Sequence, residues 1–579
     1  MIAVLALGWP QLVRPGYSPD EEYTVFAVRG IDTVSQRLPL LPSGLLYDRG
    51  LAFSYASWAA AHISGAELPS YRALALISAL ASVWAVYLVV SRAASTIAAT
   101  LAILLVAASV PFWSAATTGR FYAPLLAVYT NTLLSLCTLG RSARPVGALP
   151  ALMTLGALAC LAFVGRLVHE LMFTVVAIPL LCCAVAQRSD RAKWLTATLA
   201  LAAGLAAAQV LILGLHAFAP PSSGQSMVER FFIWQVINLF EVPPDGQFGM
   251  PMVVLLIAWL VAPKWARLNL VVALGLTAVI AGVSLARALT AAPLSWPLVE
   301  RVVSAGSRYP LDMFWHIVRA TPLTIALALG LLIARLAGAG GEWRPVERAA
   351  HLLWIGWVLW FGVIESGITL NYLLLPVTLM LMAIAVDVAA IVLHNIERMP
   401  TPGRAAVWSI CALVAAAVAA DQWRGEGPLR ARLETARPTI EVNGIEEIRS
   451  SLRPGDRVAC TDELACLMLV GRIDAWLALD DYVRERFVIR KGDGQLVGVY
   501  TGRPAVFRPA QLFDSPPPAD RTVIVDVFKE LPIGNTRAWL PRALQSDGLT
   551  ARVLLEAPQA RVLEVSQPVH ASPREGTFR

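Results

Sequence analysis

The sequence predicts a polytopic α-helical membrane protein with about thirteen transmembrane helices, followed by a C-terminal α/β domain. The 579 residues are 57% hydrophobic and only 15% charged, whereas soluble domains contain about 25% charged residues. Apolar runs follow one another along residues 1–420, and a helix needs roughly 20 such residues to cross a bilayer. After residue 420 the pattern changes to short strand-like runs between helical stretches, at ordinary charge density.

The predicted transmembrane helices are the apolar runs of the first 420 residues. In chain order they are Met1–Val13, Tyr71–Val90, Thr96–Trp113, Tyr122–Leu139, Val146–Val164, Leu171–Ala186, Trp194–Phe218, Met250–Val261, Leu268–Leu289, Thr321–Leu336, His351–Ile364, Tyr372–Leu393 and Ala405–Ala420. The first run is short. No small-residue cleavage site is evident before Arg14, so we expect a membrane helix rather than a signal peptide.

Positive charge predicts the orientation of these helices. Alternate loops are short and basic, which assigns them to the cytoplasm. Their basic residues are Arg92, Arg141, Arg144, Arg188, Arg191, Lys193, Lys264, Arg267, Arg335, Arg344, Arg348, Arg398 and Arg404. The remaining loops and the tail after Asp421 are then periplasmic, as in a multi-pass protein of a bacterial inner membrane. The basic cytoplasmic loops account for the net charge of +7. No motif indicates a nucleic acid partner.

Two regions outside the spans are predicted to fold. Residues 1–420 form the predicted membrane domain, and its first periplasmic loop is residues 14–70. Amphipathic segments of this loop at Tyr23–Ile31 and Leu51–Ile63 predict interfacial helices. Residues 421–579 form the second domain, where Cys460 and Cys466 can pair if the domain is periplasmic. An offset of six residues on one helix would instead place them on different faces. Its predicted strands are Arg457–Cys460, Phe487–Arg490, Leu496–Tyr500, Thr522–Val527 and Ala551–Leu555, and its predicted helices include Ile445–Leu452 and Arg537–Leu544.

Polar residues gather on the predicted periplasmic side of the membrane. Acidic side chains at a bilayer face are costly unless water, a cation or a substrate meets them. Carboxylates can act as a general base or bind a cation, and arginines bind phosphate through their planar fork. Such a set suits a phosphorylated lipid whose head group is attacked by a hydroxyl. The residues concerned are Asp20, Glu21, Glu22, Asp48, Arg49, Arg120, Tyr122, Arg166, His169, Glu170, Arg308, Tyr309 and Tyr372.

Simpler interpretations stand beside this one. Asp20 and Glu21 can be solvated or cap a helix, and Glu22 is expected to be solvated. Arg120 can be a snorkelling interfacial arginine. No cofactor is required by the pattern, and a divalent metal held by Asp20, Glu21 and His169 is open, although no ligand spacing demands it.

Several short motifs resemble one known family. Ser18-Pro19-Asp20-Glu21-Glu22-Tyr23, followed by Asp48-Arg49, is similar to the first periplasmic loop of the GT-C glycosyltransferases, which include protein O-mannosyltransferases and the aminoarabinose transferase that modifies lipid A. Gly119-Arg120-Phe121-Tyr122 resembles the arginine-tyrosine motif of that family, and Asn371–Pro376 resembles a late segment in which arginine stands where this chain has Asn371. Gly50-Leu51 also replaces the prolines usual after the acidic-basic pair.

The resemblance implies an inverting transfer of a sugar from a polyprenyl-phosphate donor to an acceptor hydroxyl on a lipid, glycan or protein. Asp20, with Glu21 beside it, would be catalytic. Arg49, Arg120, Arg308 and Tyr372 would contact the donor phosphate, and Asp48, Tyr122, His169, Glu170 and Tyr309 are further site candidates. The alternatives are an O-mannosyltransferase-like enzyme with a peptide acceptor and, in another class, a transporter or lipid flippase. A transporter usually carries ionisable residues near the bilayer midplane and repeated halves.

Overall fold

The protein is described by a computed structural model. The described residues are 2–13, 20–33, 35, 37–141, 148–186, 190–218, 321–341, 347, 351, 354–355, 373–396, 403–424, 442–479, 484, 487–491, 494–514, 521–527, 536–557 and 560–567. The chain divides into two compact units. The helical unit comprises residues 1–13, 48–214 and 227–435, and the sheet unit comprises residues 14–47, 215–226 and 436–579. Part of the predicted first loop therefore belongs to the same unit as the C-terminal region.

The helical unit consists of apolar helices, as its composition predicts. They are α1 (Ile2–Leu12), α3 (Leu51–Ser64), α4 (Glu67–Ala93), α5 (Thr96–Ala108), α6 (Val110–Thr117), α7 (Tyr122–Arg141), α8 (Ala148–Val168), a 3₁₀ helix (Glu170–Val176), α9 (Ala177–Val185), α10 (Arg191–Phe218), α11 (Pro322–Leu336), α12 (Leu374–Ile396) and α13 (Gly403–Arg424); α2 (Glu21–Thr33) lies in the sheet unit. Among the described residues, four helices, α4, α7, α10 and α12, are long and apolar enough to cross a membrane. The predicted total of about thirteen stays a prediction, and the predicted spans Met250–Val261 and Leu268–Leu289 lie outside the described residues.

The predicted single span Thr96–Trp113 is bent. Helices α5 and α6 meet at 66° across Ser109, and together they form a fifth candidate span. The proline of α6 stands in its first turn, where a missing backbone N–H costs nothing, but it cannot continue the hydrogen bonds of α5. Carbonyl groups at the break are satisfied by side chains: Trp113 Nε1 donates to Ala107 O at 2.7 Å and Ser109 Oγ donates to Val106 O at 2.9 Å.

One buried group of ionisable side chains in the helical unit is paired. The Asp387 carboxylate on α12 lies 3.3 Å from Arg335 Nε and 3.1 Å from His351 Nε2. Trp354 Nε1 donates to His351 Nδ1 at 3.1 Å, which leaves Nε2 to carry the proton toward Asp387. Such pairing is what an apolar surrounding requires of an ionisable group.

The sheet unit has an α/β core. Its elements are α14 (Val442–Ser450), β1 (Arg457–Cys460), α15 (Glu463–Val470), β2 (Ala475–Leu477), β3 (Val488–Arg490), β4 (Leu496–Gly498), β5 (Ala505–Val506), a 3₁₀ helix (Pro509–Phe513), β6 (Thr522–Val527), α16 (Thr536–Ser546), β7 (Thr550–Ala557) and β8 (Ala560–Ser566). Six strands form one sheet in the order β5-β2-β1-β6-β8-β7, and β3 pairs with β4 separately. Strand β1 is parallel to both β2 and β6, whereas β8 is antiparallel to β6 and β7.

Hydrophobic pattern explains which strands are central. Every residue of β6, Thr522-Val523-Ile524-Val525-Asp526-Val527, is buried, as expected for a continuous β-branched run covered on both faces. The buried Asp526 is compensated: Arg561 Nε donates to its Oδ2 at 2.9 Å and Thr461 Oγ1 donates to its Oδ1 at 3.0 Å. The strands predicted at 457–460 and 522–527 are confirmed with those bounds.

Cys460 and Cys466 form a disulfide, with their Cα atoms 6.2 Å apart. The objection drawn from helical spacing was wrong because the two residues do not share a helix. Cys460 ends β1, and Cys466 lies in α15 after the turn at Thr461 and Asp462. The bridge therefore closes a short loop at the carboxyl end of a central strand.

Candidate active site

In the helical unit, the predicted site residues meet where helices break. Arg49 precedes α3, Arg120 lies between α6 and α7, and Glu170 begins the 3₁₀ helix after α8. Arg49 Nη2 lies 2.6 Å from Glu170 Oε1, and both side chains are largely covered. Arg49 thus contacts a residue more than a hundred positions away in the sequence. A charge-assisted contact of this length is stronger than a neutral hydrogen bond.

His169 lies at the centre of this group, outside the predicted spans. Its side chain is fully buried, and Nδ1 accepts a hydrogen bond from Leu171 N at 3.0 Å, so the proton of the neutral ring is on Nε2. Burial lowers the pKa of His169 to about 3; Glu170 opposes this effect, and the charges of Arg49 and Arg120 reinforce it. The imidazole is therefore neutral, and its 3.5 Å approach to Glu170 Oε2 is not an ion pair.

Aromatic rings hold Arg120 beside His169. The Arg120 guanidinium carbon lies 4.4 Å from the centre of the Phe121 ring and 6.0 Å from that of Tyr122. These two rings are 4.8 Å and 5.9 Å from the imidazole of His169. Arg120 is only 4% exposed, so the simple interpretation as a snorkelling arginine does not describe it. A guanidinium so placed has an attractive cation–π contact and a fixed orientation.

Gly50 is required by the same packing. Its φ is +77°, a left-handed conformation that side chains rarely adopt, and a Cβ atom would collide with the Phe121 ring. Gly50, which stands where the resembling family usually has proline, therefore lets the backbone next to Arg49 pack against Phe121 of the Arg120-Phe121-Tyr122 motif.

Arg166 adds a second buried cation, beside Arg120. It was noted only as one polar residue of the outer side, yet it is 3% exposed, and its Nε donates to Gln209 Oε1 on α10 at 3.0 Å. Its guanidinium carbon lies 5.4 Å from the centre of the Phe173 ring, and its charge also acts on His169. Its place in the last turn of α8, four residues before Glu170, was the signal available in the sequence.

We name Arg49, Arg120, Arg166, His169 and Glu170 the arginine cluster. Burial raises the pKa of Glu170, but Arg49 and then the other neighbours outweigh it and lower that pKa to about 2. The Glu170 carboxylate thus lies near the charges of Arg49 and Arg166, and all three guanidinium groups act on the neutral imidazole of His169. The excess of positive charge in a covered site is suited to an anion such as a phosphate.

In the sheet unit, Asp20 and Glu21 begin α2. Asp20 has a φ of +73°, a strained conformation for a residue with a Cβ, although aspartate tolerates it better than most. Strain of this kind is concentrated at functional sites. Glu21 is fully buried and Glu22 is 1% exposed, so the expectation that Glu22 is solvated was wrong. The N-terminal turn of α2 favours carboxylates because it carries the positive end of the helix dipole.

Tyr23 links this motif to the C-terminal residues of the same unit. Its ring lies edge-on to Tyr500 with centroids 5.0 Å apart and stacks on Tyr47 at 6.0 Å. Helix α2 packs against α15. Burial raises the pKa of Tyr23 well above its ordinary value, and Tyr500 and Asp462 act in the same direction. Tyr500 and Asp462 were not expected as partners from the sequence, because they lie more than 400 residues from Tyr23.

Three predicted site residues, Arg308, Tyr309 and Tyr372, lie outside the described residues. Within the described part of the chain, no group of three or more His, Cys, Asp or Glu side chains is arranged to hold a metal ion.

Comparison with known proteins identifies the fold. No family model matches the sequence, and no curated protein matches it. The structure is similar to that of ArnT from Cupriavidus metallidurans bound to undecaprenyl phosphate, with a TM-score of 0.52 and 13% identity over 97% of this chain and 96% of that one. It is also similar to the archaeal oligosaccharyltransferase AglB from Archaeoglobus fulgidus in complex with an inhibitory peptide and a dolichol-phosphate. There the TM-score is 0.50 and the identity 12%, over 91% of this chain and 69% of that one.

Both of these proteins are glycosyltransferases of the GT-C type. Their identities to this chain are low, so the likeness concerns the fold, and it covers nearly the whole chain in both comparisons. The resemblance seen in the short motifs is confirmed at that level: the chain has the fold of the GT-C glycosyltransferases.

Proposed function

We propose that the protein is a membrane glycosyltransferase that moves a sugar from a polyprenyl-phosphate donor to an acceptor hydroxyl, with inversion, on the periplasmic side of a bacterial inner membrane. The observation that carries this proposal is the arginine cluster. Two buried guanidinium groups, of Arg120 and Arg166, and the partly exposed one of Arg49, with a single carboxylate among them, favour an anionic ligand. The similar proteins support the identity of that anion, because ArnT and AglB were seen with undecaprenyl phosphate and dolichol-phosphate.

The proposed reaction is a single displacement. Asp20 accepts the proton of the acceptor hydroxyl, whose oxygen attacks the anomeric carbon of the donor sugar. The bond from that carbon to the phosphate oxygen breaks, and the electron pair leaves with the polyprenyl phosphate, which gains one negative charge. Arg49 and Arg120 stabilise that charge, together with Arg308 and Tyr372 as the resemblance implies. Asp48, Tyr122, His169, Glu170 and Tyr309 complete the proposed site around these groups.

The Cys460–Cys466 disulfide supports the periplasmic side. Disulfides persist in oxidising compartments and are rare in the cytoplasm. Together with the basic loops, it favours an orientation in which the C-terminal region is outside.

The acceptor class has two candidates. A hydroxyl on a lipid or glycan is the first, and a peptide hydroxyl is the second, favoured by the inhibitory peptide in the AglB structure. Membrane lipids surround the protein in either case. A transporter or flippase would bind the same lipid but transfer no sugar.

Donor binding tests the arginine cluster directly. Arg120→Ala removes one charge-assisted phosphate contact, which is worth roughly 1.5–3 kcal/mol. Binding of undecaprenyl phosphate to protein in nanodiscs, measured by native mass spectrometry, should therefore weaken by about tenfold or more. Arg92→Ala is the matched control, since Arg92 lies in the last turn of α4 on the predicted cytoplasmic side.

The control should bind the lipid as the wild type does. Equal weakening in the two variants, or none in Arg120→Ala, would contradict a phosphate site at this cluster. Lipid binding without any transfer of a sugar to lipid, glycan or peptide acceptors would favour the transporter.

A further inference from the structure

The turn that carries Tyr500 is held by a buried carboxylate. Glu463, the first residue of α15, is 4% exposed. Its Oε1 accepts from Tyr500 N at 3.3 Å, and its Oε2 accepts from Thr501 N at 3.1 Å and from the Thr501 hydroxyl. Three donors from two consecutive residues fix the backbone of the turn, because a buried carboxylate left without them is costly.

The same turn contacts the N-terminal part of the sheet unit at two points. The Tyr500 ring lies edge-on to Tyr23 at 5.0 Å, and Tyr500 O accepts from Ser43 N at 3.0 Å. Tyr23 stands three residues after Asp20, and its amide donates to Asp20 O at 3.3 Å. The contact chain therefore runs from Glu463 through Tyr500 and Tyr23 to the backbone of Asp20.

Glu463 itself is rigidly placed. Asp462 caps α15 by accepting from Ala465 N at 2.9 Å, and the Cys460–Cys466 disulfide closes the loop on both sides of this pair. The loop follows β1, which pairs with β2 on one side and β6 on the other. Loops at such a switch point in strand order are where α/β sheets position functional groups.

We propose that Glu463 and Tyr500 are positioning residues that hold the first turn of α2, and with it the left-handed Asp20, in its reactive orientation. This inference rests on the proposed function for its catalytic consequence. Glu463 and Tyr500 act through Tyr23 and do not touch the reacting atoms. The Tyr500 ring acts on Tyr23 by packing. It also packs directly on Phe487, with centroids 5.5 Å apart, and Tyr23 in turn stacks on Tyr47.

Two readouts test the proposal on the full-length protein. Hydrogen exchange of residues 20–33, measured by mass spectrometry, reports the ordering of α2 without any assumption about activity. Steady-state transfer from a polyprenyl-phosphate sugar reports kcat and KM separately. A misplaced base lowers kcat, and a displacement near 1 Å costs up to about 100-fold, whereas donor binding is left intact.

Glu463→Ala and Tyr500→Ala should both speed exchange at residues 20–33 and lower kcat by about ten- to a hundredfold, with the donor KM changed less than about twofold. Tyr500→Phe should restore both values, because phenylalanine keeps the ring. Glu463→Gln should restore them in part, because its amide oxygen can still accept from Thr501 while its NH2 group cannot accept from Tyr500 N. Asp456→Ala is the matched control: Asp456 is equally buried at 4%, but it pairs with Arg521 at the opposite end of β1.

The control variant should lower the stability of the sheet unit while leaving exchange at residues 20–33 and kcat near those of the wild type. Unchanged exchange in Glu463→Ala, or the same exchange pattern in Asp456→Ala, would overturn the positioning role. Faster exchange at residues 20–33 in a protein whose wild type transfers no sugar would uphold the contact chain and reject the proposed function instead.

Discussion

At the scale of the residue, sequence patterns found charged groups but not their partners. The sequence pattern predicts site roles for Arg49 and Arg120; in the structure Arg120 is buried and Arg49 is partly exposed, and the charges of both act on His169. Glu22 was expected in solvent and is buried, and Glu463 was not noticed at all. Burial of a carboxylate depends on what packs over it, and for these two residues that includes elements distant in the sequence, such as α15 against α2. A single-sequence pattern contains no information on such contacts.

Asp20 is the residue on which the proposed chemistry depends most. Asp20→Asn keeps the size of the side chain but removes the base, and general-base assistance contributes roughly 10²- to 10⁴-fold. We expect transfer from a polyprenyl-phosphate sugar to fall by at least about 100-fold, while undecaprenyl phosphate binding by native mass spectrometry stays at the wild-type level. Near-normal transfer would show that Asp20 is not the base and would make Glu21 or Asp48 the leading candidate.

At the scale of the element, long and strongly patterned segments were predictable. Strands β1 and β6 have the predicted bounds because each is a continuous apolar or β-branched run. Strands β2 and β5, with three and two residues, are too short for any alternation to be visible. The bend at Ser109 was also missed, since an apolar run gives no sign of where the axis turns, and only the proline at 111 hinted at it.

Glu463, the first residue of α15, makes the folding stability of the protein depend on pH. Burial raises the pKa of Glu463 to about 7, against the hydrogen bonds from Thr501 and Tyr500 that lower it. Because the folded pKa is above the unfolded value of 4.5, the folded state binds more protons between these values. The resulting contribution, roughly 3 kcal/mol, is fully present below pH 4.5 and is lost as pH rises through about 7.

Glu463→Gln removes this titration and keeps one of the two acceptor oxygens of the turn. We expect the melting temperature of the variant, relative to that of the wild type, to increase from pH 5 to about pH 7 and to level off at higher pH. The comparison of the two proteins at each pH cancels the titration of all other groups. A difference that is constant over this range would mean that burial does not raise the pKa of Glu463 and would contradict this prediction.

At the scale of the whole molecule, the C-terminal tail and the first loop form one unit. Residues 14–47 cluster with residues 436–579, and the Tyr23–Tyr500 and Ser43–Tyr500 contacts join parts of the chain that a pass along the sequence treats as separate. The resemblance of short motifs nevertheless indicated the right fold at 13% identity. A fold is set by the pattern of apolar helices and their order, whereas the site depends on side chains brought together from distant elements.

Orientation in the membrane is the property of the whole molecule that the proposed function needs most. In a variant whose five free cysteines are replaced by alanine, single cysteines are introduced at the exposed positions Asp190 and Arg542. The basic loops predict that a membrane-impermeant maleimide labels position 542 in intact spheroplasts, and position 190 only after permeabilisation. The disulfide between Cys460 and Cys466 leads to the same expectation for the sheet unit. Labelling of position 190 from outside would reverse the predicted topology, and with it the periplasmic side of the transfer.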